Sequence, residues 1–136
     1  MTLEVQEAIE ALKQAYGEEN IEVKPEVQGG AYIIVKNIPI GDKFIPTDIW
    51  CGFLINYTYP ESDVYPHFVN EDLKKNNESP EDLGKNATER LGAGYAGPVD
   101  WNDRKAIQIS RRSNRWSPAQ DTALIKLTKV INWMQN

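Results

Sequence analysis

One stretch of twelve residues carries most of the chemistry this chain can offer. Between positions 104 and 115 stand five cations, Arg104, Lys105, Arg111, Arg112 and Arg115, with two hydroxyls among them, Ser110 and Ser113. Guanidinium groups beside a hydroxyl can draw in a carboxylate, a phosphate or an acidic partner, and they can steady negative charge developing on an oxygen. A serine hydroxyl is a weak nucleophile until a base takes its proton. Two residues are candidates for that base: Asp103, and His67, the only histidine of the chain. A plainer arrangement stands beside this one, a solvated connection whose cations face acidic residues on neighbouring elements. For His67, in Tyr65-Pro66-His67-Phe68, the plainer arrangement is a satisfied, partly buried imidazole.

Two other features invite chemistry and do not sustain it. Cys51 lies between Trp50 and Gly52 in the most apolar run of the sequence, where a thiol acts as a small buried hydrophobe with no basic neighbour to lower its pKa. Gly92-Ala93-Gly94-Tyr95-Ala96-Gly97 has the spacing of a dinucleotide-binding loop. That loop works only between a strand and a helix that aims its N-terminus at pyrophosphate. Here polar residues precede it and Pro98 follows it, so the sequence predicts a flexible loop.

Composition narrows the classes further. The chain has 136 residues, 40% of them hydrophobic, with four Trp, six Tyr and three Phe, enough to pack a single core over residues 1–136. Fifteen Lys and Arg against twenty Asp and Glu give a net charge of -5, the wrong sign for a surface that grips nucleic acid. One Cys and one His cannot build a thiolate zinc site or an internal disulfide, and no cofactor or metal is expected. No apolar run approaches the roughly 18 residues of a membrane span, and no secretory pattern opens the chain, so a cytoplasmic protein without membrane contact is expected.

The elements that must position these residues follow from periodicity. Val5, Ala8, Ile9, Leu12, Ala15 and Tyr16 share one helical face, and Gly17 supplies the stop. Three β-like runs follow, Ile21 to Val27, Ala31 to Ile38 and Asp48 to Tyr57, with Gly29-Gly30 and the Gly41 to Thr47 stretch as turns. Pro66 to Val69 reads as a fourth strand or an extended edge. The polar stretch of about 70–104 reads as an irregular insertion, after which Lys105 to Ser110 alternates again. Ser117 with Gln120 forms a capping-box pattern around Pro118, predicting a helix from Pro118 to about Met134 along the stripe Leu124, Leu127, Val130, Ile131 and Met134. The class is α+β: an N-terminal helix, an antiparallel meander of about four strands, an irregular crossover and a C-terminal helix.

This order resembles the ubiquitin-conjugating enzyme (UBC-like) fold, and particular residues carry the likeness. Gly29-Gly30-Ala31-Tyr32 resembles the family's Gly-Gly-aromatic strand start, Tyr59-Pro60 with the following prolines its Tyr-Pro-x-x-Pro stretch, and Trp116-Ser117-Pro118 its Trp-Ser-Pro after the active site. Ile109-Ser110-Arg111-Arg112 ahead of Trp116 and Asp121 is similar to a divergent bacterial branch, where genes for a ubiquitin-like modifier and an activating enzyme commonly lie nearby. The family's catalytic cysteine would stand eight residues before Trp116, and that position holds Gln108, so the usual thioester cannot form. Nor does His67-Phe68-Val69 reproduce the family's His-Pro-Asn.

The resemblance therefore implies one of two functions. In the first, Ser110 carries a modifier's C-terminal glycine as an oxyester, with His67 or Asp103 as base, Arg111 and Arg112 steadying the developing charge, and Ser113 as the second-choice nucleophile. In the second, the domain is a non-catalytic variant that holds a modifier or partner protein. A ubiquitin-like modifier and an activating-enzyme-like protein are the partners implied.

Overall fold

Residues 1–75, 89–90, 106–109 and 111–135 are described by the structure, a computed structural model. Helix α1 (Leu3–Tyr16) begins where the sequence supplies a cap: Thr2 is extended, and its hydroxyl oxygen accepts the Val5 amide at 3.2 Å. Gly17 ends the helix at a φ of 94°, and its amide donates to the Lys13 carbonyl at 2.8 Å. Between these ends Val5, Ala8, Ile9 and Leu12 are buried.

A 3₁₀ turn (Glu18–Asn20) leads into strands β1 (Ile21–Pro25), β2 (Ala31–Pro39), β3 (Phe44–Ile45), β4 (Asp48–Ile55), β5 (His67–Asn70), β6 (Lys74–Lys75), β7 (Glu89–Arg90) and β8 (Ala106–Ile109), and helix α2 (Ala123–Gln135) closes the order. Six strands form one antiparallel sheet, β1-β2-β4-β5-β8-β7, and β3 pairs with β6. The α+β class and the antiparallel pairing of the central runs are as the periodicity predicts.

The strands alternate as a half-buried sheet must. Ile33, Val35, Cys51, Phe53, Ile55, Val69, Ile107 and Ile109 join the core formed with α1 and α2, while Ile34, Phe68 and Ala106 make a smaller cluster with Tyr32 and Trp50. The first run stops short of Val27 because Glu26 closes a turn: its carboxylate accepts the amides of Gln28 at 2.9 Å and Gly30 at 3.2 Å. Gly30 admits no side chain, since a Cβ there would stand 2.4 Å from the Ile55 carbonyl oxygen. The Gly41 to Thr47 stretch is more than a turn. Phe44 is buried there, and its strand finds a partner in β6.

The last helix starts later than the capping-box pattern predicts. Residues 118–120 form a turn in which the Gln120 and Asp121 amides both donate to the Ser117 carbonyl, at 3.0 and 2.7 Å, while the side chain that accepts the Ser117 amide, at 2.7 Å, is the Asp121 carboxylate and not Gln120. A charged acceptor makes the stronger bond to the amide than a neutral carboxamide. Thr122 then caps α2, its hydroxyl accepting the Ile125 amide at 3.1 Å. No helix among the described residues is long and apolar enough to cross a membrane. The Gly92 to Gly97 motif, Asp103, Ser110 and most of the 70–104 insertion lie outside the described residues.

Candidate functional site

The basic residues that follow β8 run alongside α2 and leave a groove of about 430 Å³, lined among others by Arg111, Arg112, Ser113, Arg115, Lys126 and Trp133. Two of the guanidinium groups are braced by aromatic rings. Arg111 lies over Trp133 of α2, 4.6 Å from the ring centroid, and Arg112 lies over Tyr65, 4.7 Å from its centroid, while also donating to the Tyr65 hydroxyl. Such stacking fixes a guanidinium in place without neutralising it. Among the described residues, Arg111, Arg112 and Arg115 make no ion pair with a carboxylate; Lys129, also in the lining, pairs with Asp121 at 3.5 Å. The alternative in which neighbouring acids neutralise the cluster is therefore not what these three arginines do within the described residues.

Two polar side chains of the groove, Lys126 and Ser113, close on a third, Asp63. Lys126, only 4% exposed, donates from Nζ to Asp63 Oδ1 at 2.9 Å, Asp63 Oδ2 at 3.0 Å and Ser113 Oγ at 2.6 Å. Ser113 donates its amide to Asp63 Oδ2 at 2.7 Å and its hydroxyl to Asp63 Oδ1 at 3.1 Å. Burial would raise the Asp63 pKa, but the Ser113 amide and the Lys126 ammonium outweigh it and hold the carboxyl below its ordinary value of 3.8. Lys126 donates to the Ser113 hydroxyl oxygen and Asp63 accepts from the hydroxyl, so the side chain is engaged on both sides within the network. Ser113 is a tether that holds the arginine segment against α2.

The turn that carries Asp63 is itself held by landmarks from two distant parts of the sequence. The Trp116 indole Nε1 donates to the Pro60 carbonyl at 2.7 Å, and the Tyr59 hydroxyl accepts the Ala123 amide at 3.2 Å. The Tyr-Pro stretch and the Trp-Ser-Pro stretch thus meet, and the turn between Tyr59 and Pro66 is fixed where it must present Asp63 to Lys126.

His67 is placed differently from both sequence readings. It is fully buried, its ring 5.0 Å from that of Phe53, and neither nitrogen has a hydrogen-bond partner among the described residues. Burial first, and the positive charge of Lys126 second, bring its pKa down from 6.5 to about 3, against a smaller opposing effect of Asp63. It does not line the groove. Cys51 is buried as expected, and burial pushes its thiol well above the ordinary range. Ser110, next to Arg111 in the chain, lies outside the described residues. Among the described residues no cluster of three or more His, Cys, Asp and Glu could hold a metal ion.

The groove therefore contains Arg111, Arg112 and the second-choice Ser113, and sequence reasoning missed two residues that line it, Lys126 and Trp133, and two that hold its lining from behind, Asp63 and Tyr65. For Lys126 a signal was present, since it stands between Ala123 and Val130 on the apolar stripe of the last helix, where a lysine needs a partner. No family model matches the chain, and no curated protein or solved structure matches it either.

Proposed function

We propose that this chain is a UBC-like domain that holds a partner protein, a ubiquitin-like modifier, by its basic groove without forming a covalent bond to it. One observation carries the reading: three arginines without carboxylate partners among the described residues stand together on a chain of net charge -5. In an acidic protein an unneutralised cluster is costly to keep by self-repulsion alone, and it draws an anionic partner to one place. The UBC-like part of the reading is supported by the order of helix, meander and terminal helix, and by the meeting of Tyr59-Pro60 with Trp116.

A covalent carrier is the second reading, and the position of Ser110 directly before a groove-lining arginine favours it. One experiment separates the two. The purified chain is mixed with a ubiquitin-like modifier and an activating enzyme encoded near it, with ATP. Binding without chemistry predicts a salt-sensitive complex, weakened when Arg111, Arg112 and Arg115 are changed together to Gln. A species that survives thiol reductant, yields to mild base and disappears in Ser110→Ala would establish the carrier instead. A modifier that binds the triple variant as well as the native chain would remove the groove from either account.

A further inference from the structure

We infer that the groove takes an extended acidic peptide segment with two separated carboxylates, one on Arg111 and one on Arg112, and that it does not take a compact anion such as phosphate. The inference rests on the reading of this groove as a binding site and names the chemistry of its occupant. Arg111 and Arg112 are neighbours in the chain, yet their guanidinium groups are braced on rings from different elements, Trp133 on α2 and Tyr65 on the turn before β5. Braced on separate rings, each fork is held in its own place, so the two offer two docking points.

A phosphate site would recruit backbone amides, above all those at a helix N-terminus. Here several of those donors are already occupied. The Ala123 amide donates to the Tyr59 hydroxyl, the Ile125 amide to the Thr122 hydroxyl, and the Lys126 amide to the Thr122 carbonyl. The Ser113 amide donates to Asp63, and the Lys126 ammonium is taken up by Asp63 and Ser113. What the groove offers a ligand is the guanidinium rim and the half-buried ring of Trp133. A peptide can use both kinds of surface, whereas phosphate can use only the first.

The test uses the full chain and two labelled synthetic peptides of equal length, one with two spaced glutamates and one with a single glutamate, followed by fluorescence anisotropy. The peptide with two glutamates should bind roughly fivefold tighter than the other, the upper range for one exposed charged contact. Arg111→Gln and Arg112→Gln should each remove that advantage, while Arg112→Lys, which keeps the charge and loses the fork, should restore only part of it. Inorganic phosphate should displace the peptide no better than chloride at equal ionic strength. Equal binding of the two peptides, or displacement by phosphate beyond that control, would overturn the inference and leave the groove an anion site of another kind. If the peptide binds and the modifier does not, the proposed partner falls and the ligand chemistry stands; if no anion binds, both fall.

Discussion

Two polar side chains are buried within one core, and they are treated in opposite ways. Lys126 sits in a closed network in which all three ammonium protons meet acceptors, and Asp63 is ionised opposite it. His67, on the neighbouring strand β5, is just as buried and has neither nitrogen paired among the described residues. The first arrangement ties the turn before β5, the segment after β8 and α2 together. The second uses imidazole as a flat ring against Phe53 and keeps it neutral. The difference teaches which polar residue the fold relies on: a buried charge that joins three elements resists replacement, and an unpaired ring invites it.

The largest effect should come from breaking the network on one side. Lys126→Met leaves the Asp63 carboxylate, 11% exposed, without its ammonium partner and should cost about 3 kcal/mol, the lower end of the range for a fully buried pair, measured by urea unfolding. Pairing it with Asp63→Leu should recover part of that loss, because the stranded charge is gone; a double variant as unstable as the sum of the singles would show that the two residues act independently.

His67 should reveal itself through pH. Its folded pKa of about 3 lies below the ordinary 6.5, so between those values the unfolded chain binds a proton that the folded chain refuses. Stability is therefore complete above about pH 6.5 and falls on acidification, by up to about 1.4 kcal/mol per pH unit. Asp63, also held low, adds its own loss only below its ordinary value of 3.8. His67→Phe should leave stability at pH 7 unchanged or raised by about 1 kcal/mol, and should flatten the curve between pH 6.5 and 4. A native-like acid slope in that variant would mean that some other group is responsible.

Smaller still is the effect expected at Cys51. Cys51→Ala should cost about 1 kcal/mol by unfolding, the scale of one small buried group, and leave ligand binding unchanged. Iodoacetamide should modify the native thiol only at the rate of unfolding. Smallest of all is Arg115→Gln, which removes an exposed charge with no ion pair among the described residues and should change stability by less than about 0.5 kcal/mol.

The halves of this comparison were not equally legible in the sequence. Periodicity is a local property, so the buried face and the stop of α1 and the antiparallel pairing of the runs that begin at Ala31 and Asp48 could be read directly, although the second strand ends at Ile55, two residues before Tyr57. The start of α2 could not, because Ser117 meets two polar side chains at nearly the same spacing and only the folded turn decides between Gln120 and Asp121. Arg111 and Arg112 stood out as a charge cluster. Asp63 did not, since its partners are 50 and 63 positions away along the chain and no local pattern links them. His67 was visible as a residue, but its environment comes from Phe53 and from elements the chain reaches later.

The meeting of Tyr59 with Ala123 and of Pro60 with Trp116 also bears on how the protein is made. A ribosome releases α1 and β1 to β5 well before α2, whose Leu127, Val130, Ile131 and Met134 complete the shared core. During that interval the nascent polypeptide has only α1 to cover the inner faces of Ile33, Val35 and Phe53, and the apolar surface left over is one that other nascent chains can stick to. A product truncated before Ala123 would lack the side chains that close the core and would stay in that condition.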